Sequence, residues 1–195
     1  MLSKVQCFAL TVLVFMGFGT NAVSAQDTIA PTSDGRFYER ILARHNGERA
    51  RVGVPPLVWS DRLAHDAAGW AQYLAKSDKF EHAPDGNRNN LEGENLWMGT
   101  THAFSPEEMI DGWIDERTDF IPGIFPNVTR TSNWEDVGHY TQLIWANTTQ
   151  VGCALSSNQN NDYLVCRYSS PGNWMGENPL AIRRAVAVAG SEYGK

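Results

Sequence analysis

Basic charge is the first thing this sequence lacks. Sixteen lysines and arginines stand against 22 aspartates and glutamates, a net charge of −6. With no positive face to offer phosphates, a general nucleic-acid binder is excluded. Charge of either sign is sparse, at 19%, while apolar residues make up 42% of 195, which excludes a disordered or fibrous chain. Repeats and low-complexity tracts are missing. So are the helical His-Glu-x-x-His of a metalloprotease and the Gly-x-Ser-x-Gly turn of a serine hydrolase. Cysteine is scarce and odd in number, at three. That leaves a metal site, a reactive thiol, or one bridge with a residue left over. What remains is one globular domain of mixed class with enough chain to fill a single core.

The apolar run from Phe8 to Phe18 follows Lys4 and ends in Val23, Ser24 and Ala25. It is too short for a membrane span, and its small-residue exit reads as a signal peptide cleaved after Ala25. Export removes Cys7 and Lys4, leaving 170 residues at a net charge of −7. An exported chain with two remaining cysteines is read as carrying one disulfide. Cys153 and Cys166 lie in two β-prone runs joined by a polar loop, a hairpin across which they would face each other. Closing so short a loop stabilises by roughly 3 kcal/mol. Two cysteines are too few for a four-cysteine zinc site.

Residues 26–36 read as a flexible leader and 179–195 as a tail without an assigned role. Between them, Phe37, Ile41, His45 and Arg49 share one stripe of a helix ending before Gly53. Ser60 can cap a second helix carrying Leu63, Ala67, Trp70, Ala71 and Leu74 at helical spacing. Gly93 to Gly99 reads as a strand. Ser105, Pro106, Glu107 and Glu108 open a third helix expected to reach about Phe120. A fourth is expected from Trp134 or Val137 to about Thr148. Helices with a strand and a hairpin make an α+β layered domain.

The chemistry lies in polar residues on apolar faces. Glu116 falls on the stripe of Met109, Trp113 and Phe120, and a carboxylate there needs partners. His139 shares a helix face with Gln142 and Leu143. Glu94 lies in the extended stretch and His82 just after the second helix. Two histidines and two glutamates could converge on a divalent metal, with nitrogens as ligands and carboxylates orienting a water. Their steps of 12, 22 and 23 residues match no local metal motif; separately satisfied polar groups are the alternative. His45, His65 and His102 are read as structural or solvent-facing.

Gly138-His139-Tyr140-Thr141-Gln142-Leu143-Ile144-Trp145 with Thr148, and Tyr163 to Tyr168 leading to Gly172-Asn173-Trp174, resemble the two signature motifs of the CAP superfamily (cysteine-rich secretory proteins, antigen 5, pathogenesis-related 1), also called the SCP domain. His45-Asn46 with Arg49, Gly53 to Leu57 with Trp59, and Gly93-Glu94-Asn95 extend the likeness over residues 37–178. Ser170 departs from the second signature, where proline, alanine, arginine or histidine is usual, and a looser loop before Gly172 is expected there.

The resemblance implies a three-layer α-β-α sandwich with a central antiparallel sheet and an open cleft. Its cleft tetrad falls on His82, Glu94, Glu116 and His139. The two histidines would be the ligands of zinc or another divalent metal, weakly held, with the glutamates nearby. It also implies the Cys153 to Cys166 bridge. Members have been linked to sterol and fatty-acid binding, to defence or host interaction, and to proteolysis. The leading reading is a secreted (or periplasmic) monomeric binding protein with no membrane span after cleavage. Its partner would be a small hydrophobic ligand or an extracellular protein. Phe120 to Pro126, apolar and broken by prolines, is a lipid candidate, with a buried connecting loop as the equal alternative; the tryptophans are read mainly as core. The rival is a metal-dependent hydrolase using Glu94 or Glu116 as base.

Overall fold

The computed structural model describes residues 35–84 and 92–182. The expected signal peptide, the leader up to residue 34 and the tail beyond 182 lie outside the described residues. Among the described residues, four α-helices and four strands follow in chain order: α1 Gly35–Val52, β1 Val58–Trp59, α2 Asp61–Ser77, β2 Gly93–Thr100, α3 Pro106–Ile114, α4 Gly138–Leu143, β3 Gln150–Ser157 and β4 Asn161–Ser169. Local chemistry sets most of these boundaries. Ser60 caps α2 by accepting from the Leu63 amide, and Ser105 and Glu108 form a reciprocal capping box at α3. Gly53 takes a positive φ of 78° just past α1, which lets the Val54 amide turn back to the Arg49 carbonyl.

The sheet runs β1-β3-β4-β2. β3, β4 and β2 are antiparallel, and two-residue β1 joins β3 in parallel. β4 lies inside and is buried from Asp162 to Tyr168, because helices cover both faces. On one face α1, α3 and α4 pack on Val151, Cys153, Leu164, Cys166 and Tyr168; on the other α2 packs on Leu96, Tyr163 and Val165. These are the three layers expected. α2 can lie this close to β3 because of Gly152, where any Cβ would collide with backbone atoms of Ser60 and Ala64. Cys153 and Cys166 are bonded across the hairpin, their Cα atoms 4.1 Å apart.

Several expectations need correction. α3 stops at Ile114 and tightens into a 3-10 turn, Asp115–Thr118; α4 is preceded by another, Trp134–Val137, and ends at Leu143. The early end of α4 has a visible cause. The buried Arg49 guanidinium takes the Leu143 and Trp145 carbonyls at 2.9 and 3.0 Å, with Thr148 and Pro55 completing its shell. The Phe120 to Pro126 segment behaves mostly as a packed connection. Phe125 is 1% exposed in a small core with Val128, Val137 and Trp145, and Ile124 alone among its large side chains stands out into solvent. Ser170 does not loosen its loop, since its carbonyl accepts from Thr148 and the Gly172 amide donates to Gln142. Nor does the domain end at residue 178: Ala146 donates to the Pro179 carbonyl, and Leu180 packs on the main core.

The α1 stripe is buried as expected, His45 included. Its Nδ1 bonds the Ile41 carbonyl at 2.8 Å and its Nε2 the Tyr168 hydroxyl at 2.9 Å. Burial, then the Arg49 charge, pulls its pKa down to about 4 against the favourable bond to Ile41. The folded protein therefore keeps this imidazole neutral where the unfolded chain would protonate it. Stability should fall as pH drops from about 6.5 to about 4, by about 3 kcal/mol. Urea unfolding at pH 7 and pH 4.5 checks this: a His45→Gln variant, less stable at both, should lose distinctly less on acidification than the parent.

Candidate functional site

β2 organises the site. Its alternation sends Glu94 toward the α2 face and Asn95 toward the opposite one. Glu94 has a fully buried side chain, and the antiparallel register places Arg167 of β4 directly opposite. The guanidinium, 1% exposed, meets Glu94 Oε2 at 2.9 Å and lies 3.6 Å from Glu92, whose carboxylate also binds Arg62. Glu94 Oε1 accepts the Ala83 amide at 3.0 Å and the His82 ring Nδ1 at 2.7 Å. A carboxylate already paired with arginine is an acceptor, so His82 Nδ1 carries the proton and Nε2 is the ring atom left for a ligand.

A second pair repeats this from the other side. The 3-10 turn after α3 turns Glu116 toward α4, where its Oε1 meets His139 Nδ1 at 2.6 Å and its Oε2 accepts the Tyr140 amide at 2.9 Å. Trp113 stacks on the His139 ring, 5.9 Å between centroids and 13° from parallel. Asn95 reaches the His139 carbonyl at 3.1 Å and so ties β2 to α4. Both histidines then line one cleft of about 480 Å³, together with Glu92, Glu94, Asn95 and Gln142. Glu116 stands behind His139 rather than in the wall.

The pattern that defines the Cysteine-rich secretory protein family, CAP, matches residues 42–168. The chain belongs to the CAP family. It is 35% identical over 147 residues to "Pathogenesis-related protein PR-1" of Medicago truncatula, covering 73% of this chain and 79% of that one. It is 36% identical over 140 residues to "Pathogenesis-related protein 1A" of Nicotiana tabacum, covering 71% and 77%. Among solved structures, NaASP2 with Zn2+ superposes with a TM-score of 0.63 at 22% identity, over 74% of this chain and 85% of that one. BmVAL-1 gives 0.62 at 20%, over 76% and 84%. At that identity the likeness is one of fold.

In this CAP chain the four expected site residues do not form one cluster of ligands. They resolve into two histidine–carboxylate pairs brought to one cleft from opposite faces of β2. Among the described residues no three histidine, cysteine, aspartate or glutamate side chains are placed to hold a metal together. Each glutamate orients its own imidazole. Gln142 is buried in the cleft wall, where it donates to Thr148 and accepts from the Gly172 amide. His65 and His102 are exposed, and His45 belongs to the core. Arg167 and Glu92 went unread, although one signal was available. An arginine inside the apolar run Tyr163 to Tyr168 must be neutralised by carboxylates if that run is central.

Removing Arg167 leaves Glu94 and Glu92 as buried, poorly compensated charges. Arg167→Met should destabilise the protein by about 3–5 kcal/mol. Arg62→Met, at a side chain more than half exposed, should cost about 1 kcal/mol or less. Paired chemical-denaturation curves read the difference; equal losses would deny Arg167 this place.

Proposed function

We propose that this CAP protein is an exported binding protein whose cleft takes a divalent cation, zinc among them, on His82 and His139. The observation that carries this reading is the repeated pairing. Each imidazole gives Nδ1 to a carboxylate and faces the same cleft through the rest of its ring, the arrangement that fixes tautomer and raises basicity in metal-binding histidines. The donor set fits an exchangeable ion. Two protein nitrogens are fewer than the three that hold catalytic zinc. A bound ion would supply positive charge for ligand recognition, while Glu94 and Glu116 hold the rings in place.

The hydrolase alternative gains less support. A general base needs a carboxylate oxygen free to take a proton from water. Glu94 spends its oxygens on His82, Ala83 and Arg167, and Glu116 on His139 and the Tyr140 amide. Export is supported by the formed disulfide and by the apolar N-terminal run. For a lipid ligand the Phe120 to Pro126 segment offers little, since its best side chain, Phe125, is already in a core.

Calorimetric titration of the purified chain with zinc chloride tests the proposal. The parent should show saturable binding, and His82→Ala with His139→Ala should abolish it while the circular dichroism and the disulfide are retained. Unchanged zinc affinity in that double variant would overturn the assignment. Peptide or ester turnover that disappears in Glu116→Gln would instead establish the hydrolase.

A further inference from the structure

The disulfide marks which peptide groups of β3 face outward. Cys153 and Cys166 sit opposite each other with Cα atoms 4.1 Å apart, the spacing of a pair that exchanges no backbone hydrogen bonds. The N–H and C=O of Cys153 therefore point away from β4, and by alternation so do those of Leu155. β1 occupies that outer lane only briefly. It pairs at Gln150 and Val151, its last bond being Ser60 N–H to the Val151 carbonyl, and the chain then departs as α2. From Cys153 onward the lane has no strand in it among the described residues.

The opposite edge is treated differently. By the same alternation the Leu96 carbonyl of β2 points outward, and the Trp113 indole N–H caps it at 3.1 Å. Farther along, the Trp97 and Phe104 rings stand over Gly99. Blocking of this kind is how sheets prevent unwanted pairing. β3 instead opens into a groove of about 580 Å³. Phe37, Tyr38 and Trp59 form one wall and Ala64, Ala68 and Gly69 of α2 the other. The only carboxylate in its lining is that of Asp61, whose described partner is the neutral Trp59 indole N–H at 3.1 Å.

We propose that this groove receives an extended peptide segment of a partner protein, which adds to β3 beside Cys153 and Leu155 in the lane that β1 vacates. Main-chain donors and acceptors on the edge require a strand as the occupant, since an acyl chain would cover those peptide groups without bonding them. The walls call for alternating side chains, aromatic or branched toward Phe37, Tyr38 and Trp59 and small toward α2. Charge complementarity to Asp61 calls for a lysine or arginine at the end near the α2 N-terminus. A second copy of this chain is a poorer occupant, because the edge is recessed between the walls and its own β3 could not reach in.

The test uses the oxidised full-length secreted chain and a displayed library of random octapeptides, panned against the parent with Ala68→Trp, which fills the groove, as counter-selection. The expected yield is peptides of alternating pattern with a basic end residue. On binding they should slow hydrogen exchange at the Cys153 and Leu155 amides at least tenfold. Leu155→Pro removes an outward donor and no bond to β4, so it should abolish binding in a folded protein. Asp61→Asn should weaken it about threefold. Four results would overturn the proposal: no peptides enriched over Ala68→Trp; enriched peptides that leave those two amides unprotected; backbone N-methylated versions binding equally well; or palmitate, and not peptide, occupying the groove. None depends on zinc binding at His82 and His139.

Discussion

A guanidinium buried in the middle of a sheet constrains everything around it. Arg167 is 1% exposed on the central strand, and desolvating such a charge is tolerable only with carboxylates held against it. Glu94 supplies the nearest one because the β2–β4 register puts it directly across. A slip of one residue in that register would turn Glu94 to the wrong face and leave both charges stranded. The pair thus fixes β2 against β4. Through the remaining oxygen of Glu94 it also fixes His82, so one electrostatic requirement sets both the sheet and half of the cleft.

Arg49 does comparable work on the helical side with a different kind of partner. Among the described residues no carboxylate meets it; backbone carbonyls from Pro55, Leu143, Trp145 and Thr148 do. Burial, partly offset by Tyr168, lowers its pKa to about 10, so it remains charged at neutral pH. Four dipoles drawn onto one cation end α4 at Leu143 and anchor it to α1. On α1, next to Arg49 in the chain, Glu48 accepts from Arg51 and from the Tyr140 hydroxyl. Burial would raise the Glu48 pKa, but those bonds and the Arg51 and Arg117 charges outweigh it and hold it below the ordinary value. His139 therefore sits on a short helix that α1 clamps at both ends, which is how six residues can present an imidazole rigidly.

Much of this was legible locally. The α1 stripe, the Ser60 cap, the Ser105 cap with Pro106 behind it and the hairpin with its bridge depend on neighbours in sequence, and sequence spacing reports them. The four candidate residues were also visible, Glu116 and His139 on helix faces, Glu94 in the extended stretch and His82 just after α2. What spacing could not report was their division into pairs. That depends on the β2–β4 register and on the 3-10 turn at Asp115–Thr118 that aims Glu116 at His139. Both are products of long-range packing. Arg167 escaped notice for the same reason, because an arginine in an apolar run gains meaning only when its partner strand is known. Phe125 was ambiguous until Val137 and Trp145, far along the chain, closed a core around it.

The two edges of the sheet show how the same alternation yields two surfaces of different character. On β2 the Leu96 carbonyl accepts from Trp113, and the Trp97 ring packs against Phe104 over Gly99, so that edge ends in packed rings. The cleft forms at its glycine-led start, where Gly93 leaves room for the Gln142 amide that a Cβ would displace. On β3 the close approach of α2, permitted by Gly152, draws the chain off the sheet at Ser60 and strips the outer lane after two residues of β1. One glycine at each edge thus decides where polypeptide backbone comes close and where it withdraws. The charged cleft and the apolar groove thus lie at opposite margins of the sheet, with β4, held by the Glu94 pair at Arg167 and the bridge at Cys166, between them.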